Sequence, residues 1–151
     1  MIFSSKHFIL QEFVPPEIFH QWGDSSVQFI SREIVELADF VREYFNHPMV
    51  VNNWHLGGVR KYSGFRTPDC PEGGKLSQHK FKSAFDHFMP GVNMRDIYKV
   101  ILENEKVFME AGLTCMEDID DTDPVGNPGT GWIHMDNRWT GLDFILIVNP
   151  K

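Results

Sequence analysis

Two histidines and one aspartate have the residue types and the spacing to hold a metal ion. His79 and Asp86 stand seven residues apart in SQHKFKSAFDH, and His134 lies in GWIHMDNR, two residues before Asp136. Two imidazoles and one carboxylate, with one coordination position left open, suit a catalytic zinc. Side chains alternate along a strand. A strand over SAFDHFM therefore puts Ala84, Asp86 and Phe88 on one face, and a strand over WIHMD does the same for Trp132, His134 and Asp136. If those strands are neighbours, Asp86 and His134 converge and His79 arrives from the preceding loop. Asp136 then sits where it can orient a histidine from behind. The plain alternative is that each histidine is a surface or satisfied core residue, since the chain has seven. Other chemistries fit less well. The H-x-D…H order of a non-haem iron site would begin at His134-Met135-Asp136, but no histidine follows it. A G-x-S-x-G elbow is absent, and so is a glycine-rich phosphate loop with a lysine.

The elements that must position these residues are legible in the pattern. Pro15-Pro16 predicts the start of a short helix. From Ser31 the apolar residues Ile34, Leu37, Ala38, Val41, Tyr44 and Phe45 recur at helical spacing until Asn46 and Pro48. MVVNNW (49–54) then reads as a short strand. Residues 56–77 hold five glycines and two prolines, a long loop of the kind that more often binds than spaces. Asn93 is placed to cap a second helix, with Met94, Ile97, Ile101 and Val107 facing the core and Gly112 ending it. LTCME reads as a strand, IDDTDPVGNPGTG as an acidic, turn-rich excursion, and WIHMD as a strand. LDFILIV is apolar on both faces and is expected to be central. The expected fold is a single α+β domain over residues 1–151, with two main helices on one face of a small, mostly antiparallel sheet.

Composition narrows the partners. With 151 residues, 42% of them hydrophobic, the chain can bury a core without staples. Its formal net charge of −7, with no basic stripe, argues against a nucleic-acid binder. The two cysteines, Cys70 and Cys115, form no CxxC pair and are expected as free thiols. No run approaches the roughly 20 apolar residues of a membrane span, and MIFSSKHFILQEF lacks the apolar core of a signal peptide. Synthesis in the cytoplasm without a signal peptide is the expectation. The acidic residues from Asp118 to Asp123 lack the ligand order of a calcium loop. Trp22, Trp54 and Trp132 are candidates for a cleft wall, with core burial the default.

Three segments together resemble a known family. SQHKFKSAFD is similar to the S-x-H-x-x-G-x-A-x-D signature of the M15 family metallopeptidases. These are the D-Ala-D-Ala carboxypeptidase and phage-endolysin group with the Hedgehog/DD-peptidase fold. GWIHMDNR looks like the family's W-x-H-x-D-x-R, and YSGFRTP (62–68) like its S-G-[FY]-R-[ST]-P. The motifs run in the family's order from Ser63 to Arg138, about half the chain. The resemblance implies that His79, Asp86 and His134 bind one zinc per chain and that Arg66 lines the substrate site. Two positions depart from the pattern. The signature's glycine is Lys82, so that turn either avoids positive φ or bears strain. Where dipeptidase members place a catalytic glutamate, three residues before the last histidine ligand, this chain has Gly131. Glu117 is the nearest replacement, with Asp118 beside it and Asp136 as a further candidate base.

The expected activity is hydrolysis of an amide bond in a peptidoglycan stem peptide, as a D,D- or L,D-type carboxypeptidase or endopeptidase acting at the cell wall. The alternative expectation keeps the zinc and drops the chemistry, giving a binding or structural module of a phage particle or cell-wall complex. A carboxylate within reach of the metal site separates the two.

Overall fold

Local chemistry sets the helices. The protein is described by a computed structural model covering residues 2–150. Helix α1 (Pro16–Trp22) starts with a proline at its first position, where the missing N–H leaves no bond unmade. Helix α2 (Arg32–Phe45) is capped by Ser31, whose Oγ accepts from the Ile34 amide at 3.3 Å, and ends at Asn46 in the left-handed conformation. Its buried stripe is Ile34, Val35, Leu37, Ala38 and Val41. Helix α3 (Met94–Glu103) begins at Asn93, whose side chain accepts from the Arg95 amide at 3.0 Å. The single helix expected as far as Gly112 is interrupted at Asn104 and resumes as α4 (Glu105–Glu110). Phe108, seven residues after Ile101 and so on the same helical face, is buried, while Val107, expected in the core, is 42% exposed.

The sheet has four strands, β1 (Ala84–His87), β2 (Cys115–Glu117), β3 (Ile133–Asp136) and β4 (Leu146–Val148), in the spatial order β1-β3-β2-β4. The β1–β3 and β3–β2 pairings are antiparallel and β2–β4 is parallel, so this α+β fold carries a mixed sheet. Phe85, Met116, Ile133 and Met135 share one core cluster with the buried stripes of α2 and α3. Alternation sends Asp86, His134, Asp136 and Glu117 to the opposite face.

Three further expectations need correction. MVVNNW is not a strand: only Val50 pairs, in a single bridge to Phe88. Beyond it, Asn52 turns its side chain to the Ser63 amide (2.9 Å), and Asn53 turns its own to the Arg60 amide (2.9 Å). LDFILIV is not central. Its strand β4 lies at the sheet edge and is only half buried, because apolar faces report cover above and below rather than position in the order. Part of the acidic excursion is helical: α5 (Ile119–Thr122) starts at Asp118, which accepts from the Asp120 amide at 2.9 Å. Cys70 and Cys115 are free and buried, as expected.

Candidate metal centre

The β1–β3 register places Asp86 directly opposite His134. His79 comes from the 3-10 turn Gln78–Phe81 that leads into β1. One atom from each converges: His134 Nδ1 lies 2.9 Å from Asp86 Oδ1, and His79 Nε2 lies 3.2 Å from both. All three residues are buried, and together they could hold a metal ion.

The hydrogen bonds behind these atoms decide what the cluster can bind. His79 Nδ1 is 2.8 Å from the Gly64 carbonyl, which can only accept, so that nitrogen carries the proton. His134 Nε2 is 2.8 Å from Asp136 Oδ2. Asp136 is held as a carboxylate by Arg138, whose Nε and Nη2 donate at 2.8 and 2.6 Å. Both neutral imidazoles therefore turn a lone pair inward, toward the oxygen of Asp86. Three acceptors face one another with no donor between them, an arrangement that calls for a cation. Without a metal the cation is a proton. Burial alone would lower the pKa of His134, yet hydrogen bonds to Asp136 and Asp86 outweigh it and raise the value to about 10. Burial likewise opposes the charge on Asp86, but the two histidines hold it far below the usual carboxylate range.

The glycine-rich loop braces this centre. Ser63 O accepts from the Asp86 amide at 2.7 Å, and the Arg66 amide donates to His79 O at 3.1 Å. Arg66 Nη2 donates to Asp86 Oδ2 at 3.2 Å, and Arg66 Nε donates to Tyr62 O at 2.7 Å. A Cβ on Gly64 would lie 2.2 Å from the Phe13 carbonyl oxygen, so only glycine allows this approach. Tyr62, Ser63 and Gly64 act through backbone carbonyls, which leave no periodic trace in a sequence, whereas Arg138 acts through its side chain on Asp136 two residues away.

Glu117 ends β2 beside the centre, its Oε1 3.9 Å from His134 Nδ1. Burial raises its pKa, opposed by His134 and helped by Asp86. Asp118 caps α5 instead of facing the cluster. Gly131 adopts φ +66°, and a Cβ there would lie 2.3 Å from that of Asp123. No side chain fits at that position. Lys82 has φ +65° and ψ 17°, so the turn adopts the left-handed conformation despite lacking the glycine.

Two clefts flank the centre. One, of about 320 Å³, is lined by Arg60, Lys61, Tyr62, Arg66, Asp86 and Trp132 among others. The second, of about 300 Å³, is lined by Gln78, Glu117, His134 and Arg138 among others, and Arg66 forms part of both walls. Trp132 thus lines a cleft, whereas Trp54 donates its indole N–H to the Val14 carbonyl at 2.9 Å and Trp22 packs edge-on against Phe29. No helix among the described residues is long and apolar enough to cross a membrane. Comparison with protein-family models, with curated proteins and with solved structures finds no match to this chain.

Proposed function

We propose that the protein is a zinc-dependent peptidase that hydrolyses an amide bond in peptidoglycan stem peptides at the cell wall. The observation that carries this reading is the inward-facing acceptor triad of His79, Asp86 and His134, with the raised-pKa carboxylate of Glu117 3.9 Å from one of its atoms. The three motifs supply the peptidase class and the substrate. Left-handed Lys82, at the position of the signature's glycine, is consistent with that assignment.

A zinc ion held by His79, Asp86 and His134 would supply Lewis acidity at the reacting centre. The remaining work falls to the chain. Gly64 O and Asp136 fix the tautomers of the two histidines, and Arg66 holds the outer oxygen of Asp86. Glu117, at the cleft wall, takes a proton from the attacking water at its carboxylate and returns it to the leaving amine. Among the described residues, Arg66 spends only Nε and one Nη on partners, leaving N–H groups to face a developing oxyanion. A zinc-bearing module without chemistry needs no carboxylate at this point, and the position of Glu117 weighs against it.

Mass spectrometry of stem peptides and cross-linked muropeptides, with a chelator and with zinc restored, tests the proposal. Chelator-sensitive gain of one water at a single bond is the expected result. Absence of cleavage with zinc bound would transfer the assignment to the binding module. Glu117→Gln should keep the zinc and lose turnover by about a hundredfold or more. If turnover survives, the base is another group.

A further inference from the structure

The cleft on the Asp86 side contains a cation that makes no side-chain hydrogen bond or ion pair among the described residues. Arg60, Lys61 and Arg66 line it together with two acids, Glu72 and Asp86. Asp86 is already engaged by Arg66 and by the two histidines. Arg66 has committed Nε and one Nη to Tyr62 O and Asp86. Arg60 differs. Among the described residues its guanidinium has no hydrogen bond or ion pair, and its one specific contact is with the Phe88 ring, whose centroid is 4.5 Å from Cζ. Contact through the central carbon spends none of the five in-plane N–H donors. Burial lowers the pKa of this group although the charge of Asp86 opposes it, the direction expected of a cation lacking a full complement of partners.

Arg60 is also fixed in place. Its amide donates to Asn53 Oδ1 at 2.9 Å, and its carbonyl accepts from the Asn53 and Trp54 amides at 3.0 and 3.1 Å. The chain folds so tightly here that a Cβ on Gly58 would lie 2.2 Å from the Asn53 side chain. A partly buried guanidinium on a pinned backbone, facing a cleft next to a reacting centre, is preorganised for a planar anion.

We propose that Arg60 is a specificity-determining residue that binds a carboxylate of the substrate in the cleft on the Asp86 side, with Lys61 adding charge at its rim. The inference rests on the peptidase reading and sharpens it: the enzyme selects peptides with a free carboxylate close to the bond it cuts. That carboxylate is either the chain terminus or an acidic side chain.

The test is an NMR titration of the isotope-labelled full chain, both zinc-loaded and chelator-treated, following the arginine Nε–H signals. The probes are N-acetyl-D-alanine, its uncharged amide, and N-acetyl-D-glutamic acid 1-amide, whose only carboxylate is on the side chain. A carboxylate probe should shift the Arg60 signal in both metal states and bind about tenfold or more tightly than the amide. Preference between the two carboxylate probes names the source. Arg60→Gln should abolish the discrimination, and Arg60→Lys should retain part of it. Equal binding of acid and amide by the unaltered protein overturns the proposal. So does acid binding that needs zinc and is unchanged in Arg60→Gln, because the metal would then be the anion's partner. Carboxylate binding without cleavage of any muropeptide would instead sink the peptidase reading and leave the subsite standing. Cleavage indifferent to a terminal or side-chain carboxylate would do the reverse.

Discussion

Asp136 shows how much of the candidate site is set behind the three converging atoms. It is fully buried, takes both donors of the Arg138 fork and accepts from His134 Nε2. Its charge therefore fixes which nitrogen of His134 faces inward. Asp136→Asn leaves the three ligands in place but removes that constraint, and zinc affinity should fall by about 10- to 100-fold in a competition titration with a chromophoric chelator. Unchanged affinity would mean that the Asp136–Arg138 pair is only structural. Lys82 makes a different point. Its backbone occupies a region that costs a side-chain-bearing residue about 1–2 kcal/mol, partly offset by its Nζ donating to the Gln28 carbonyl at 2.7 Å. Lys82→Val should lose about 1–2 kcal/mol in urea unfolding, whereas Lys82→Gly should be neutral or stabilising. A destabilised glycine variant would show that the Lys82 side chain matters more than the strain.

At the scale of elements, the loop between β2 and β3 settles where a base can stand. Asp123 anchors that loop, its Oδ1 accepting from the Gly126 amide at 3.0 Å and from Thr130 Oγ1 at 2.8 Å. Gly131 packs directly on it with positive φ. Placing a glutamate there would force a Cβ into the Asp123 side chain. Gly131→Glu should therefore cost about 2 kcal/mol or more and yield no gain in turnover. A folded, more active variant would show that the loop can move aside. Strand β2 offers the alternative position: Glu117 shares a sheet face with His134 because Met116, one residue before it, pairs antiparallel with Met135, one residue after His134.

Across the whole molecule, the charged centre ties stability to pH and to metal. In chelator-treated protein, Asp86 has a depressed pKa and contributes stability above its unfolded value of 3.8, lost as pH falls. His134 has a raised pKa. Its contribution is complete below its unfolded value of 6.5 and is lost as pH rises through about 10. The pair thus stabilises the metal-free fold most between pH 3.8 and 6.5. Zinc requires neutral imidazoles, so zinc-loaded protein should hold its stability well into the alkaline range. Urea midpoints measured from pH 5 to 10 with zinc and with chelator should diverge as pH rises. Parallel curves would show that the ion is not held by these histidines.

Legible in the sequence were the helix starts at Pro16, Ser31 and Asn93, the segments that hold all four strands, and the three residues whose lone pairs meet. The helix starts and strand segments depend on interactions within a few residues or on a period-two alternation, both written locally. The triad is legible through its residue types and motifs, and meets only because β1 pairs with β3. The tertiary structure alone decided the edge position of β4, the break at Asn104, and the reduction of MVVNNW to a single bridge. It also decided that Gly131 admits no side chain, that Glu117 reaches the centre, and that Arg60 faces a cleft with no side-chain hydrogen bond among the described residues. These outcomes depend on partners far apart in sequence, such as Asp123 for Gly131, β3 for Glu117 and Phe88 for Arg60. Packing selects such partners after the elements have formed, and no local pattern encodes which surface each will meet.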